Sequence, residues 1–250
     1  MGLPSGLLWA KNDIDVSQLS NFTPTPFQYE KTFFSWGNVN GHNPISESEF
    51  DYNWGGVNSE EPYYDGQPYG DTPGSSITAN LTISQDAARA NLGAPWRLPT
   101  TNEFKELIDN CDFVQADGTT VIEVATTDKR VTVNGIVGIY LKSKHNGNLL
   151  FFACSGLGDR TSWGYRGSFG YYWSSSINNE RYARSLHFNS AGVLPQYNFY
   201  RFNGLAVRAV FGTGLRSNSR GLSLPIDNER LEREVNDSRF VIKNEHNVQE

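Results

Sequence analysis

Gly170-Tyr171-Tyr172-Trp173-Ser174-Ser175-Ser176, Arg184-Ser185-Leu186-His187-Phe188-Asn189 and Gly204-Leu205-Ala206-Val207-Arg208-Ala209-Val210-Phe211 carry the reading of the fold. The middle segment alternates. Leu186 and Phe188 point one way and Ser185, His187 and Asn189 the other, the period of a strand with one face in a core. The first segment reads as a strand from its aromatic run. The last, nearly all apolar, reads as a central strand. Around them, Trp163 to Phe211 holds 13 aromatic residues in 49 positions, about twice the 13% of the whole chain. These rings sit among Ser, Asn, Gly and Arg rather than Leu and Ile. Buried phenols, amides and guanidiniums all need partners, so a core is seldom composed this way. Aromatic anchors among small, adaptable polar residues instead compose a recognition surface.

Working outward, Val131 to Leu141 is rich in Val and Ile and broken by Asn134-Gly135. Asn146-Gly147 separates Ile139-Tyr140-Leu141 from Leu149-Leu150-Phe151-Phe152, which is a hairpin signature. Upstream lie two helix signals. Thr100-Thr101-Asn102-Glu103 spells a capping box, and Phe104, Leu107, Ile108 and Cys111 then form one apolar stripe ending near Asn110. The weaker helix spans about 84–91, with Ser84 expected as N-cap, Asp86 at the positive end of the dipole and Gly93 as the stop. Residues 1–80 read as irregular structure with short strands, punctuated by Gly, Pro and Asn. Two early helices and a late antiparallel sheet make an α+β arrangement.

The composition shifts after Phe211. Residues 212–223 read as a linker, and 227–250 are strongly charged, with Leu231 and Val235 as a weak helical stripe and Phe240-Val241-Ile242 as a short strand. So few apolar residues cannot hold a domain of their own. The chain therefore divides into a domain over 1–211 and a tail over 212–250. The tail either docks, on this domain, a sister subunit or another protein, or is a frayed, solvated end.

The whole sequence limits the function classes. A chain of 250 residues with six Trp, 12 Tyr and 15 Phe is globular rather than disordered, and its mean hydropathy of −0.50 fits a loop-rich surface. The net charge of −6 argues against non-specific nucleic-acid binding, which needs a basic field. No apolar run approaches the ~18 residues of a membrane span. The first ten residues lack the basic and long apolar regions of an export signal, so either such a signal has been removed or the protein does not use the secretory route. Cys111 and Cys154 are too few for a disulfide framework and read as buried free thiols. His42, His145, His187 and His246 have no metal-site spacing, so no metal or other cofactor is expected. No nucleophile triad or phosphate-binding loop is visible. Asp51, Asp65 and Asp71 could reach calcium among loop carbonyls, but solvated turn carboxylates explain them better.

Six ordered motifs across about residues 2–211 carry a resemblance: Gly2-Leu3-Pro4-Ser5-Gly6-Leu7-Leu8-Trp9-Ala10, Phe34-Ser35-Trp36-Gly37, Trp96-Arg97-Leu98-Pro99-Thr100, Gly170 to Ser176, Phe188-Asn189-Ser190 and Asn203 to Val210. They resemble the recurrent motifs of the Fibrobacter-type major paralogous domain, found in gut Bacteroidales and their phages. That family is similar to the formylglycine-generating-enzyme branch of the C-type lectin fold. The resemblance implies a C-type-lectin-like fold, two helices on a twisted antiparallel sheet with long loops. Neither cysteine matches the catalytic pair of the enzymatic branch, so no enzyme is expected. Gln67-Pro68-Tyr69 departs from the calcium-dependent sugar-binding motif of animal C-type lectins.

Many phage-encoded members resembling this chain are targets of diversity-generating retroelements, which scatter adenine-containing codons over Tyr, Ser, Asp, His, Arg, Gly, Phe and Leu. The window 177–205 has that texture. The resemblance places variable, ligand-binding positions at Arg181, Tyr182, Ser185, His187, Ser190, Gly192, Leu194, Tyr197, Phe199, Tyr200 and Phe202, projecting from alternate strand positions and a 194–202 loop. Trp173, Leu186, Val207 and Val210 are expected to anchor the strands in the core. The expectation is a receptor-binding protein at a phage tail or fibre tip. Its partners would be a bacterial cell-surface protein or glycan and, through the tail segment, other virion proteins or further copies of itself. A bacterial surface adhesin of the same fold, or a structural virion protein, are the alternatives.

Overall fold

Thr100 starts the longest helix by the reciprocal hydrogen bonds its sequence predicts. Its hydroxyl accepts the Glu103 amide at 3.3 Å, and the Glu103 carboxylate accepts the Thr100 amide at 2.7 Å. The computed structural model describes residues 1–15, 28–29, 31–46, 48–50, 54, 79–179 and 181–212. The calcium candidates Asp51, Asp65 and Asp71, the Gln67-Pro68-Tyr69 string and the tail after Gly212 lie outside them. In chain order the elements are β1 (Leu8–Trp9), β2 (Pro44–Ser46), β3 (Glu49–Phe50), α1 (Ala87–Leu92), β4 (Trp96–Arg97), α2 (Thr101–Asp109), β5 (Cys111–Phe113), β6 (Arg130–Val133), β7 (Ile136–Ser143), β8 (Leu149–Ala153), β9 (Leu157–Asp159), β10 (Ser162–Gly164), β11 (Gly170–Ile177), β12 (Tyr182–Asn189), β13 (Gly192–Tyr200) and β14 (Val210–Phe211). Mostly antiparallel sheets with two short α-helices make the fold α+β.

The strands form several small sheets rather than one. β5, β7, β6 and β8 make a four-stranded sheet, β11-β12-β13 and β1-β14-β4 make three-stranded ones, and β2-β3 and β9-β10 are two-stranded. A loop containing Asn146-Gly147 closes β7 on β8 as the hairpin signature predicts, with Ile139 opposite Phe152 and Leu141 opposite Leu150. α1 differs from its sequence reading. Asp86, not Ser84, is the N-cap and accepts the Arg89 amide at 3.0 Å, because residues Ile83–Gln85 form a separate 3₁₀ turn.

Gly204 to Phe211 is buried throughout, as expected of a central segment, yet only Val210 and Phe211 join a ladder. The rest makes single bridges, Gly204 to Gly158, Leu205 to Phe34 and Ala206 to Tyr172. The carbonyls of Val207 and Ala209 accept the amides of Ile14 and Ala10 at 2.9 Å each. A chain buried on every side must find a partner for each backbone group, and here it finds them on several different segments. It is a hub rather than a sheet strand. Trp54 fixes one of these crossings. Its indole lies so close over the Gly158–Gly204 bridge that a Cβ on Gly158 would fall 2.4 Å from it, and one on Gly204 2.5 Å.

α2 lays Phe104 and Leu107 into a core shared with Trp9, Phe152, Tyr172, Leu186 and Phe188. Trp36, Trp96, Trp173, Leu205, Val207 and Phe211 belong to a second core. The four anchors Trp173, Leu186, Val207 and Val210 are 0–1% exposed. Burial of each such large side chain contributes about 1.5–3 kcal/mol. Between the cores Asp13 receives Arg208 Nε at 2.6 Å and pairs with Lys31, while Tyr172 Oη lies 3.2 Å from its carboxylate. Burial alone would raise the Asp13 carboxyl, but Arg208 and Lys31 together outweigh it and hold the group below the usual range. The ion cluster ties the first fifteen residues to the hub.

Candidate functional site

β12 is the middle strand of its sheet, so the pleat of this one strand assigns side chains to two faces. Leu186 and Phe188 face α2 and are fully buried. Tyr182 and Arg184 continue that face beyond the helix. Ala183, Ser185 and His187 occupy the opposite face. There a layer of rings covers the sheet: Phe169 stacks on Tyr171 and His187 at 6.1 and 5.7 Å, and Tyr171 on His187 at 4.5 Å. Tyr197 reaches His187 at 4.7 Å, and Phe199 reaches Tyr171 at 4.7 Å. Tyr165, 59% exposed, closes the layer edge-on to Phe169.

At the centre of the layer both ring nitrogens of His187 are paired. A carbonyl only accepts, so His187 Nδ1 must donate to Gly170 O at 3.2 Å, and Nε2 accepts the Asn189 amide at 3.2 Å. Burial pushes the imidazole below its ordinary pKa, against the opposing pull of the Gly170 carbonyl. Burial likewise raises the Tyr171 phenol. These groups stay neutral near pH 7 and make a floor, with Leu194 and Tyr197, at 50% and 37% exposed, at its edge; Tyr200, 39% exposed, stands on the other face beside Tyr182.

The edge is β13, where a 194–202 loop was expected. Pro195 concealed it, since proline is excluded from inner strands but tolerated on an edge. β12 pairs with it from Tyr182 opposite Tyr200 to Asn189 opposite Gly192, with an irregularity between Ser185 and His187. The extra residue of β13 there, beside Pro195, lets Tyr197 and Leu194 both lie opposite residues of the ring-bearing face.

At the β11–β12 turn, Asn179 Oδ1 accepts the amides of Arg181 and Tyr182 at 2.9 Å each. Both Asn178 and Asn179 amides donate to the Tyr182 carbonyl at 3.0 Å. The turn thereby holds one wall of an open hollow of about 470 Å³, lined by Asn178, Asn179, Tyr182, Gln196, Tyr197 and Asn198. Tyr182 and Tyr200 rings lie 4.6 Å apart at its side, and the hydrogen bond to Tyr200 raises the Tyr182 phenol. A smaller hollow, about 210 Å³ between α1 and α2, is lined by Asp86, Arg97 and Glu103, which are already committed to each other and to helix caps.

The sequence-predicted positions separate on this frame. Arg181, Ser190, Leu194, Tyr197 and Tyr200 are exposed, and Tyr182, Gly192 and Phe199 are half-buried. Ser185, His187 and Phe202 do not project: they are 0%, 5% and 9% exposed. Ser185 and His187 occupy the expected face, but the ring layer roofs it. Phe202 lies inside the turn that leads into the hub, 5.4 Å from Tyr200. Arg181 and Ser190 flank opposite ends of the eight-residue β12, roughly 30 Å apart at ~3.3 Å per residue, so no single small ligand touches both. Tyr165, Phe169, Asn178, Asn179, Gln196 and Asn198 were not singled out from sequence. The alternation of 192–200 would have found the last two, had Pro195 not broken it.

Elsewhere, Cys111 and Cys154 are free and buried, with thiols pushed up to about 12 by burial. Among the described residues no group of three or more His, Cys, Asp or Glu is placed to hold a metal, and no helix is long and apolar enough to cross a membrane. Comparison with protein-family models, curated proteins and solved structures yields no match.

Proposed function

We propose that this chain is a non-enzymatic receptor-binding protein of C-type-lectin-like fold, carried at a phage tail or fibre tip, that attaches to a bacterial surface ligand through the β11–β13 sheet. The observation that supports this reading is the contrast along β13. Leu194, Tyr197 and Tyr200 are solvent-exposed, while His187 and Ser185, opposite the first two on β12, are buried. Large rings on a rigid backbone lose little conformational entropy on binding and supply most of the energy at interfaces. The weak affinity of one such patch is multiplied when many copies are carried on one particle.

The same layout suits a surface that varies. Substituting an exposed β13 side chain leaves the core untouched, so the residues of the 177–205 window that retroelement targeting would diversify are, on this reading, the projecting ones. Purified protein mixed with a panel of gut Bacteroidales tests the reading. Saturable binding to at least one strain, displaced by excess unlabelled protein, is expected. Absence of binding across the panel would count against it.

A further inference from the structure

The six residues around the β11–β12 hollow carry four carboxamides and two phenols and no formal charge. Such a lining discriminates among ligands. Among the described residues of the lining, an anion would find no cation and a calcium ion no carboxylate. An apolar group would strip water from the amides without replacing its hydrogen bonds. A pyranose fits. Its hydroxyls both donate and accept, as carboxamides do, and its C–H face packs on an aromatic ring. About 470 Å³ lies within the ~300–1,000 Å³ of small-molecule sites.

The lining is also held ready. Asn179 spends its oxygen on the turn, which fixes its side chain and leaves its Nδ2 available. Gln196 is steadied by Asn102 on α2, whose Oδ1 accepts its amide at 3.3 Å. Among the described residues, the side-chain amides of Asn178 and Asn198 make no hydrogen bond. Tyr197 and Tyr182 supply the rings, and Tyr197 joins the hollow to the stacked layer.

We infer that this hollow is a calcium-independent subsite for a neutral saccharide of the bacterial surface. The inference rests on the attachment reading above and gives its ligand a chemical class.

The test is an array of purified bacterial capsular polysaccharides and lipopolysaccharide O-chains, probed in EDTA, beside whole cells pretreated with periodate or with protease. Wild type should bind a neutral polysaccharide on the array, and periodate, not protease, should abolish cell binding. Asn178→Ala and Asn198→Ala, which break no hydrogen bond among the described residues, should each weaken array binding roughly tenfold, a change typical of one lost hydrogen bond. Val124→Ser, at a 96% exposed site, should bind like wild type. A silent array, binding to acidic polysaccharides alone, or Asn variants that bind like wild type would overturn the saccharide subsite. Cell binding that survives periodate and is lost to protease would overturn it and leave attachment standing. Array binding without binding to any cell would keep the subsite and remove the attachment reading.

Discussion

His187 lies flat against Tyr171, its partner across β11 and β12, with ring centroids 4.5 Å apart and planes 15° from parallel. The imidazole is neutral because both nitrogens are committed and burial disfavours its charge. Its folded pKa is thus below the unfolded value of about 6.5. The unfolded chain therefore takes up the proton first as pH falls, so this group's stabilisation is intact above about 6.5 and is lost below it. An NMR titration should place the His187 midpoint under 6.5. A midpoint at or above that value contradicts the buried, neutral ring.

The ion cluster should be costly to break. Asp13→Asn leaves Arg208 and Lys31 buried without their carboxylate, and removal of one partner from such a pair typically costs about 3–5 kcal/mol. Urea denaturation of the variant checks this. A loss under about 1 kcal/mol would mean that water reaches the site.

Gly158→Ala should destabilise through shape alone. Its methyl would meet the Trp54 indole at 2.4 Å, and the backbone cannot retreat because Gly158 exchanges hydrogen bonds with Gly204 at 2.7 and 2.9 Å. Overpacking of this kind costs about 1–3 kcal/mol. Pairing it with Trp54→Phe, which shortens the ring, should recover part of the loss in a thermal melt.

The candidate positions should divide by burial. Changing Arg181, Ser190 or Leu194 to Ala should move stability by under ~0.5 kcal/mol, as at exposed sites generally. Ser185→Tyr should cost several times more, because Ser185 is 0% exposed. Denaturant midpoints for the four variants decide it. Equal effects would mean that the ring layer is loose enough to admit a new side chain.

Local rules made much of this fold legible. The α2 capping box, the β7–β8 turn and the alternation of β12 each depend on residues within a few positions of one another. What was missed depends on partners far along the chain. The irregular pairing of 204–209 follows from contacts with Ala10, Ile14, Phe34 and Gly158, which no local pattern announces. The burial of Ser185 and His187 had the same cause: alternation assigned their face correctly, but nothing nearby in sequence shows that Phe169, Tyr171 and Phe199 would cover it. Of the candidate site, the exposed tyrosines were readable from composition. The amide-lined hollow was not, because it forms only where the Asn178-Asn179 turn meets β13.

The proposed grip of β13's exposed edge on a bacterial surface can be tested directly. Cell binding of wild type should be compared with that of a Leu194→Ala, Tyr197→Ala, Tyr200→Ala triple variant whose melting temperature is unchanged. Binding should fall at least a hundredfold, roughly what removing two or more aromatic anchors costs. Full binding by the folded triple variant would contradict it.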